Sequence, residues 1–158
     1  MDKTSPVQHI LILVDGTEAS FQAADFAIAL ACALRAKLTA MAVVETETLR
    51  QLLHVKILSD AEMGEFEKEL QSSSERQIAE VRERALRRHL VIDDAIVAGN
   101  SEEVVPREVE ARGVDLIALG GFQSNRASRD LLTRQRQQIV DHAPCPVVVV
   151  HRPNNPGR

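Results

Sequence analysis

The residues whose types and spacing allow chemistry lie in two short stretches. The first is Gly120-Gly121 and the loop that follows to Ser128, placed between the apolar run VDLIALGG and a helical pattern from Arg129 to His142. The second is Asp15-Gly16-Thr17, which closes the apolar run ILILV over residues 10–14. Glycine turns that open a helix present backbone amides to a phosphate, and the helix dipole favours its charge. Arg126, Arg129, Arg134 and Arg136 follow in the same stretch and offer guanidinium forks for the same anion. A solvated helix face, with Asp130 among the charges, is the simpler reading of these arginines and the favoured one.

Other chemistries lack their residues. The chain has no GKS or GKT, no GxGxxG and no GxSxG, which removes the P-loop, dinucleotide and hydrolase-elbow readings. His142, Cys145 and His151 carry no metal-pairing motif, and His142 suits a helix C-terminus. No residue is evidently placed to activate water. The expectation is a protein without catalytic residues or a metal, with ATP hydrolysis as the weakest reading.

The elements that must position these stretches alternate along the chain. Residues 10–14 form a buried strand, and Thr17 caps an alanine-rich helix whose inner stripe is Phe21, Ala24, Ile28 and Ala31. A second strand starts at Lys37 and exits at Glu45, and residues 46–59 suggest a short helical excursion. One long amphipathic helix covers 60–89, with a weak point at Ser72-Ser73-Ser74. Strand three spans 91–98, its Asp93-Asp94 pair suiting a sheet edge. Gly99-Asn100-Ser101 then opens a helix that Pro106 should kink or delay and Gly113 should stop. Strand four is Leu116–Leu119, and strand five Pro146–His151 follows the last helix. Strands alternating with helices predict an α/β fold: a doubly wound, open parallel sheet with helices on both faces. One domain of 158 residues is expected, with an ordered core over 7–152 and a disordered tail over 153–158.

Composition narrows the partners. A net charge of -4 and 3% aromatics, with no Trp or Tyr, argue against nucleic acid. No apolar run is long enough to span a bilayer and no signal core opens the chain, so the expectation is a cytoplasmic protein without a membrane partner. The two cysteines, Cys32 and Cys145, read as small buried hydrophobes.

Four motifs in order, VDGTEAS, VAGNSEEVV, GVDLIALGG and DHAPCPVVVV, resemble the universal stress protein family from about Ile10 to His151. The resemblance implies a five-stranded sheet of order 3-2-1-4-5, adenine nucleotide alpha hydrolase-like, together with homodimers and a stress-response role. It also implies a division. Members that bind ATP carry, after strand four, a glycine, two residues, a glycine, nine residues, then glycine and Ser or Thr. Here Gly120 holds the first position, and Gln123, Thr133 and Arg134 stand at the other three. Asp15 matches the family residue that contacts adenosine, and Val43 the one whose backbone meets adenine. The candidate nucleotide positions are therefore Asp15, Gly16, Thr17, Val43, Gly99, Gly120, Gly121, Gln123, Thr133 and Arg134. For Asp15 the residues leave two roles open, pocket and helix entry.

Gln123 and Thr133 put side chains where backbone should approach phosphate, so the loop reads as degenerate. The main expectation is a non-enzymatic, dimeric regulatory module with no cofactor and with protein partners of unknown identity. The alternative is a sensor of ATP or another adenine nucleotide, with Mg2+, using Asp15, Val43 and an arginine-assisted loop at 120–134. The dimer should form through strand five, where Val147, Val148, Val149 and Val150 make an apolar edge that needs cover.

Overall fold

A computed structural model describes residues 5–121 and 129–151, at 48, 49, 52 and 129–132 through the backbone alone. The elements alternate throughout. They are β1 (His9–Leu13), α1 (Glu18–Leu34), β2 (Lys37–Glu45), α2 (Thr46–His54), α3 (Asp60–Leu86), β3 (Asp93–Gly99), α4 (Ser101–Arg112), β4 (Leu116–Gly120), α5 (Arg129–His142) and β5 (Val147–Val150). The five strands are all parallel, in the order β3-β2-β1-β4-β5.

This order follows from which strands bury both faces. β1 and β4 are buried at every position, as central parallel strands covered by helices must be. Ile10 pairs with Leu38 on one side and Leu116 on the other, which sets the register of the whole sheet. Successive side chains point to opposite faces. Ile10, Ile12 and Val14 therefore join Ala23, Ala27 and Ile28 of α1 and Ile78 and Val81 of α3 on one face. Leu11, Leu13, Met41 and Ile117 join Val105 and Val109 of α4 and Ile139 of α5 on the other. Alanine at 23, 24, 27 and 31 lets α1 lie close to the sheet, where it is buried at all four.

Helix ends are set by short polar side chains. The Thr17 hydroxyl accepts from the Ser20 amide. Ser59 and Glu62 form a reciprocal capping box at the start of α3, and hydrogen bonding from Ser59, its backbone amide first, holds the carboxyl of Glu62 below its usual range. Asn100 accepts from the Glu102 amide, and Gly113 closes α4 in the left-handed region.

Several expectations need correction. α3 runs unbroken through Ser72-Ser73-Ser74, because Ser74 is buried and the helix there packs against the sheet. α4 is not delayed by Pro106: it starts at Ser101 and contains the proline, which lacks the amide that would reach the Glu102 carbonyl. β3 starts two residues later than expected, leaving Val91 84% exposed. Phe21 is only partly buried and lies beneath the Arg84 guanidinium, 5.0 Å from its ring centre. The helical excursion expected over 46–59 is present as α2. The expected disordered tail lies outside the described residues. No helix among those described is long and apolar enough to cross a membrane.

At the amino ends of the strands, His9 is buried between two partners. Nδ1 is 3.0 Å from the Arg112 carbonyl and Nε2 is 2.7 Å from the Thr39 hydroxyl. A neutral ring satisfies both, donating to the carbonyl and accepting from the hydroxyl. Burial pushes the imidazole below its ordinary 6.5, outweighing the Arg112 carbonyl, and the Lys37 ammonium lowers it further against Asp115 and Asp93. The unfolded chain thus binds this proton more readily than the folded one. The stability involved is complete above pH 6.5 and declines as pH falls below it. Urea unfolding of the wild type should show that decline, and His9→Gln should flatten it while lowering stability at neutral pH. An unchanged slope in the variant would place the titrating group elsewhere.

Candidate ligand-binding site

Connections from β1 and β4 leave on opposite faces of the sheet, so a crevice opens between their carboxyl ends. A cavity of about 400 Å³ lies there. Leu13 ends β1 in it with Val14 and Asp15 just beyond, Val43, Val44 and Glu45 end β2, and Leu119 comes from β4. α3 closes one side with Leu70, Ser73, Ser74 and Gln77, and α5 the other with Gln135, Arg136 and Ile139. Ser101 of α4 completes the lining among the described residues. Aliphatic side chains make the walls; hydroxyls, amides and three charged groups make the polar points.

The charged centre is Arg136, which is 3% exposed. Its Nη2 donates to Asp15 Oδ2 at 2.9 Å and to the Thr17 hydroxyl at 3.2 Å. Its Nη1 donates to the Gly121 carbonyl at 2.6 Å. Asp15 uses its other oxygen, Oδ1, to accept from the Thr17 amide and hydroxyl. Of the two roles left open for Asp15, the helix-entry role is filled by Oδ1, which shapes the start of α1, while Oδ2 meets the guanidinium at the cavity wall. Arg136 Nε is buried and has no partner among the described residues.

A second carboxylate lines the cavity, that of Glu45. Glu45 accepts from both the amide and the hydroxyl of Ser101 at the first turn of α4. Ser73 and Gln77 bond to each other on α3, so that rim is polar but uncharged. Cys145 is free and half-buried, and burial raises its thiol above the usual range, which keeps it protonated. Among the described residues no three His, Cys, Asp or Glu side chains gather as a metal site.

Of the candidate positions, Asp15 and Val43 line the cavity. Gly16 holds φ +81 in the turn into α1, a conformation that favours glycine. Gly120 and Gly121 answer to packing. A Cβ on Gly120 would stand 2.8 Å from the Ala19 carbonyl carbon and 2.9 Å from the Ser20 amide nitrogen. One on Gly121 would stand 2.8 Å from the Val150 carbonyl oxygen, which accepts from the Gly121 amide. Gly99 ends β3 against Val104, away from the cavity lining. Thr133 is partly buried and Arg134 is exposed. Gln123 and Arg126 lie outside the described residues.

The solvated-face reading fails for Arg136 because that residue is on the inner side of α5. Its spacing carried the signal: Ile139, three positions on, and Ala143, seven on, share the apolar stripe. Glu45 and the α3 residues were missed because they approach from elements distant in sequence.

The model of the universal stress protein family matches residues 6–151. A Staphylococcus haemolyticus relative described as a universal stress protein is 28% identical over 145 residues, covering 90% of this chain and 84% of its own length. The fold is similar to that of a Lactobacillus plantarum universal stress protein, with a TM-score of 0.74 and 21% identity over 93% of this chain and 99% of that one. It is also similar to a universal stress protein in complex with cAMP, with a TM-score of 0.68 and 20% identity over 93% and 99% of the two chains. An Arabidopsis thaliana member with AMP bound gives a TM-score of 0.63 and 12% identity over 93% of each chain.

The contact at Gly120 generates a direct test. A methyl there meets backbone on α1, which cannot swing aside as a side chain can. Gly120→Ala should cost roughly 1–3 kcal/mol of stability without any ligand present, read as a lower urea midpoint. An unchanged midpoint would return this glycine to a purely ligand-facing role.

Proposed function

The chain belongs to the universal stress protein family, and from that premise we propose that it is a non-enzymatic regulatory module whose β4–α5 loop does not hold a triphosphate. The observation that carries this reading is the buried Arg136 guanidinium, seated on Asp15 and on the Gly121 carbonyl where the loop begins. The two halves of ATP fare differently against these residues. A base and ribose have aliphatic walls at Leu13, Val43, Leu119 and Ile139 and neutral polar points on α3 and α4. The phosphates do not fit: Gly120 and Gly121 are committed to packing, and Thr133 and Arg134 replace glycine and hydroxyl. Arg136 offers its Nη2 donor to Asp15 and Thr17 rather than to an anion.

The second reading is an adenine-nucleotide sensor. What favours it is the cavity itself, in a fold whose relatives include one solved with AMP and one with cAMP. Calorimetric titration of nucleotide-stripped protein with Mg-ATP at low salt separates the two, because low salt preserves any charge-based site. The expected result is no micromolar binding; micromolar affinity would establish the sensor instead.

Regulation through a homodimer is part of the same proposal. β5 pairs only with β4 among the described strands, so its other side presents unpaired amides. Val147, Val148 and Val150 are partly buried, and Val149 is 38% exposed. A second copy of the strand related by a two-fold axis would cover this edge. Sedimentation velocity should give a dimer for the wild type and a monomer for Val149→Lys, with the circular dichroism spectrum unchanged. A variant that stays dimeric would move the interface away from β5.

A further inference from the structure

We propose that the corner formed by α2 and the first turns of α3 docks a basic amphipathic helix of a partner protein. Val55, Ile57, Phe66 and Leu70 are all exposed there, Ile57 at 65% and Phe66 at 45%. Single apolar side chains are ordinary on a surface, whereas a gathered set rimmed by charge marks an interaction site. Val55 and Ile57 lie in the connection between the two helices. α2 packs beside α3, and the capping box of Ser59 and Glu62 fixes the turn between them.

The exposure follows from the length of α3. Its buried stripe is Ser74, Ile78, Val81 and Ala85, of which the last three belong to the core on that face of the sheet. Met63, Phe66 and Leu70 continue this stripe towards the amino end at helical spacing. The 27 residues of α3 reach about 40 Å, whereas β2, with nine, reaches about 30 Å. Leu70 already stands at the carboxyl ends of the strands, in the cavity wall. The turns before it therefore overhang the sheet, and Phe66 lacks the cover that Ile78 and Val81 have.

The rim selects the charge of the partner. Residues 62–69 hold four glutamates, Glu62, Glu65, Glu67 and Glu69, against one lysine, Lys68. The helix dipole favours acids in the first turn, which accounts for Asp60 and Glu62. It fades beyond that turn and does not account for the other three. Glu65 stands three residues from Glu62 and four from Glu69, a spacing at which like charges oppose the helix. Every ion pair among the described residues engages other acids. A cationic partner relieves this repulsion, and an anionic one, a phospholipid surface included, adds to it. A basic amphipathic helix supplies both halves of the match, an apolar face for Ile57 and Phe66 and cationic flanks for the glutamates.

The test is fluorescence anisotropy of a labelled peptide of leucine and lysine, its leucines at helical spacing, titrated with the full chain. A scrambled peptide of the same composition should bind at least about tenfold more weakly. Ile57→Ser combined with Phe66→Gln should weaken binding at least about tenfold, with an unchanged circular dichroism spectrum. Val55→Ser combined with Ile57→Ser lies outside both helices and should weaken it severalfold with no effect on α3. Binding should also fall severalfold on raising salt, and Glu65→Gln with Glu69→Gln should remove most of that dependence. No binding of the amphipathic peptide, equal binding of the scrambled one, or equal binding by the Ile57 and Phe66 variant overturns the proposal. A wild type that self-associates where that variant does not would make a second copy the occupant and overturn it too. Capture of the wild type, and not the variant, by phosphatidylserine vesicles would do the same for a membrane. None of these results bears on the triphosphate reading, because the substituted residues lie away from Arg136 and Asp15.

Discussion

A guanidinium removed from water must find its compensation inside the protein, and that requirement organises the carboxyl end of this sheet. Arg136 binds one segment from each of three places: Asp15 at the end of β1, Thr17 at the cap of α1 and the Gly121 carbonyl at the exit of β4. Desolvating such an ion costs several kcal/mol, and a buried pair does not reliably return more than that. Its significance is geometric. The hydrogen bonds hold α5 against the point where the connections from β1 and β4 part, which is also the mouth of the cavity.

The same corner contains the tightest backbone packing. β4 ends against the first turn of α1, with Gly120 touching Ala19 and Ser20, and Gly121 lies on the backbone of β5. The Thr17 hydroxyl caps α1, donates to Asp15 and accepts from Arg136, so it links the helix start to the ion pair. Glycine serves here to admit neighbouring backbone.

The buried histidine and the cavity sit at opposite ends of the strands. His9, Thr39 and the Arg112 carbonyl form a satisfied buried set at the amino ends, distant in register from the residues that line the cavity. The apolar layers between them, continuous from Ile10 to Val14 on one face and from Leu11 to Leu13 on the other, insulate one end from the other.

The sequence by itself determined the alternation of strands and helices, because short apolar runs such as ILILV, bounded by turn residues and separated by helical patterns, suit strands that crossover helices cover on both faces. Thr17, Asn100 and Gly113 likewise marked helix ends, since capping is a local interaction between neighbouring residues. The motifs from VDGTEAS to DHAPCPVVVV carried the family, and Asp15 and Val43 were legible as cavity residues. Local patterns could not decide the fate of charged side chains. Arg134 and Arg136 are two positions apart in one basic stretch, yet one is exposed and the other buried, because a helix turns about 100° per residue and only α5's docking selects the inner face. Glu45 met Ser101, 56 positions away, and Arg136 met Asp15, 121 away, through the sheet order. Those pairings hold the charged groups that line the cavity among the described residues, and only the tertiary structure could bring them about.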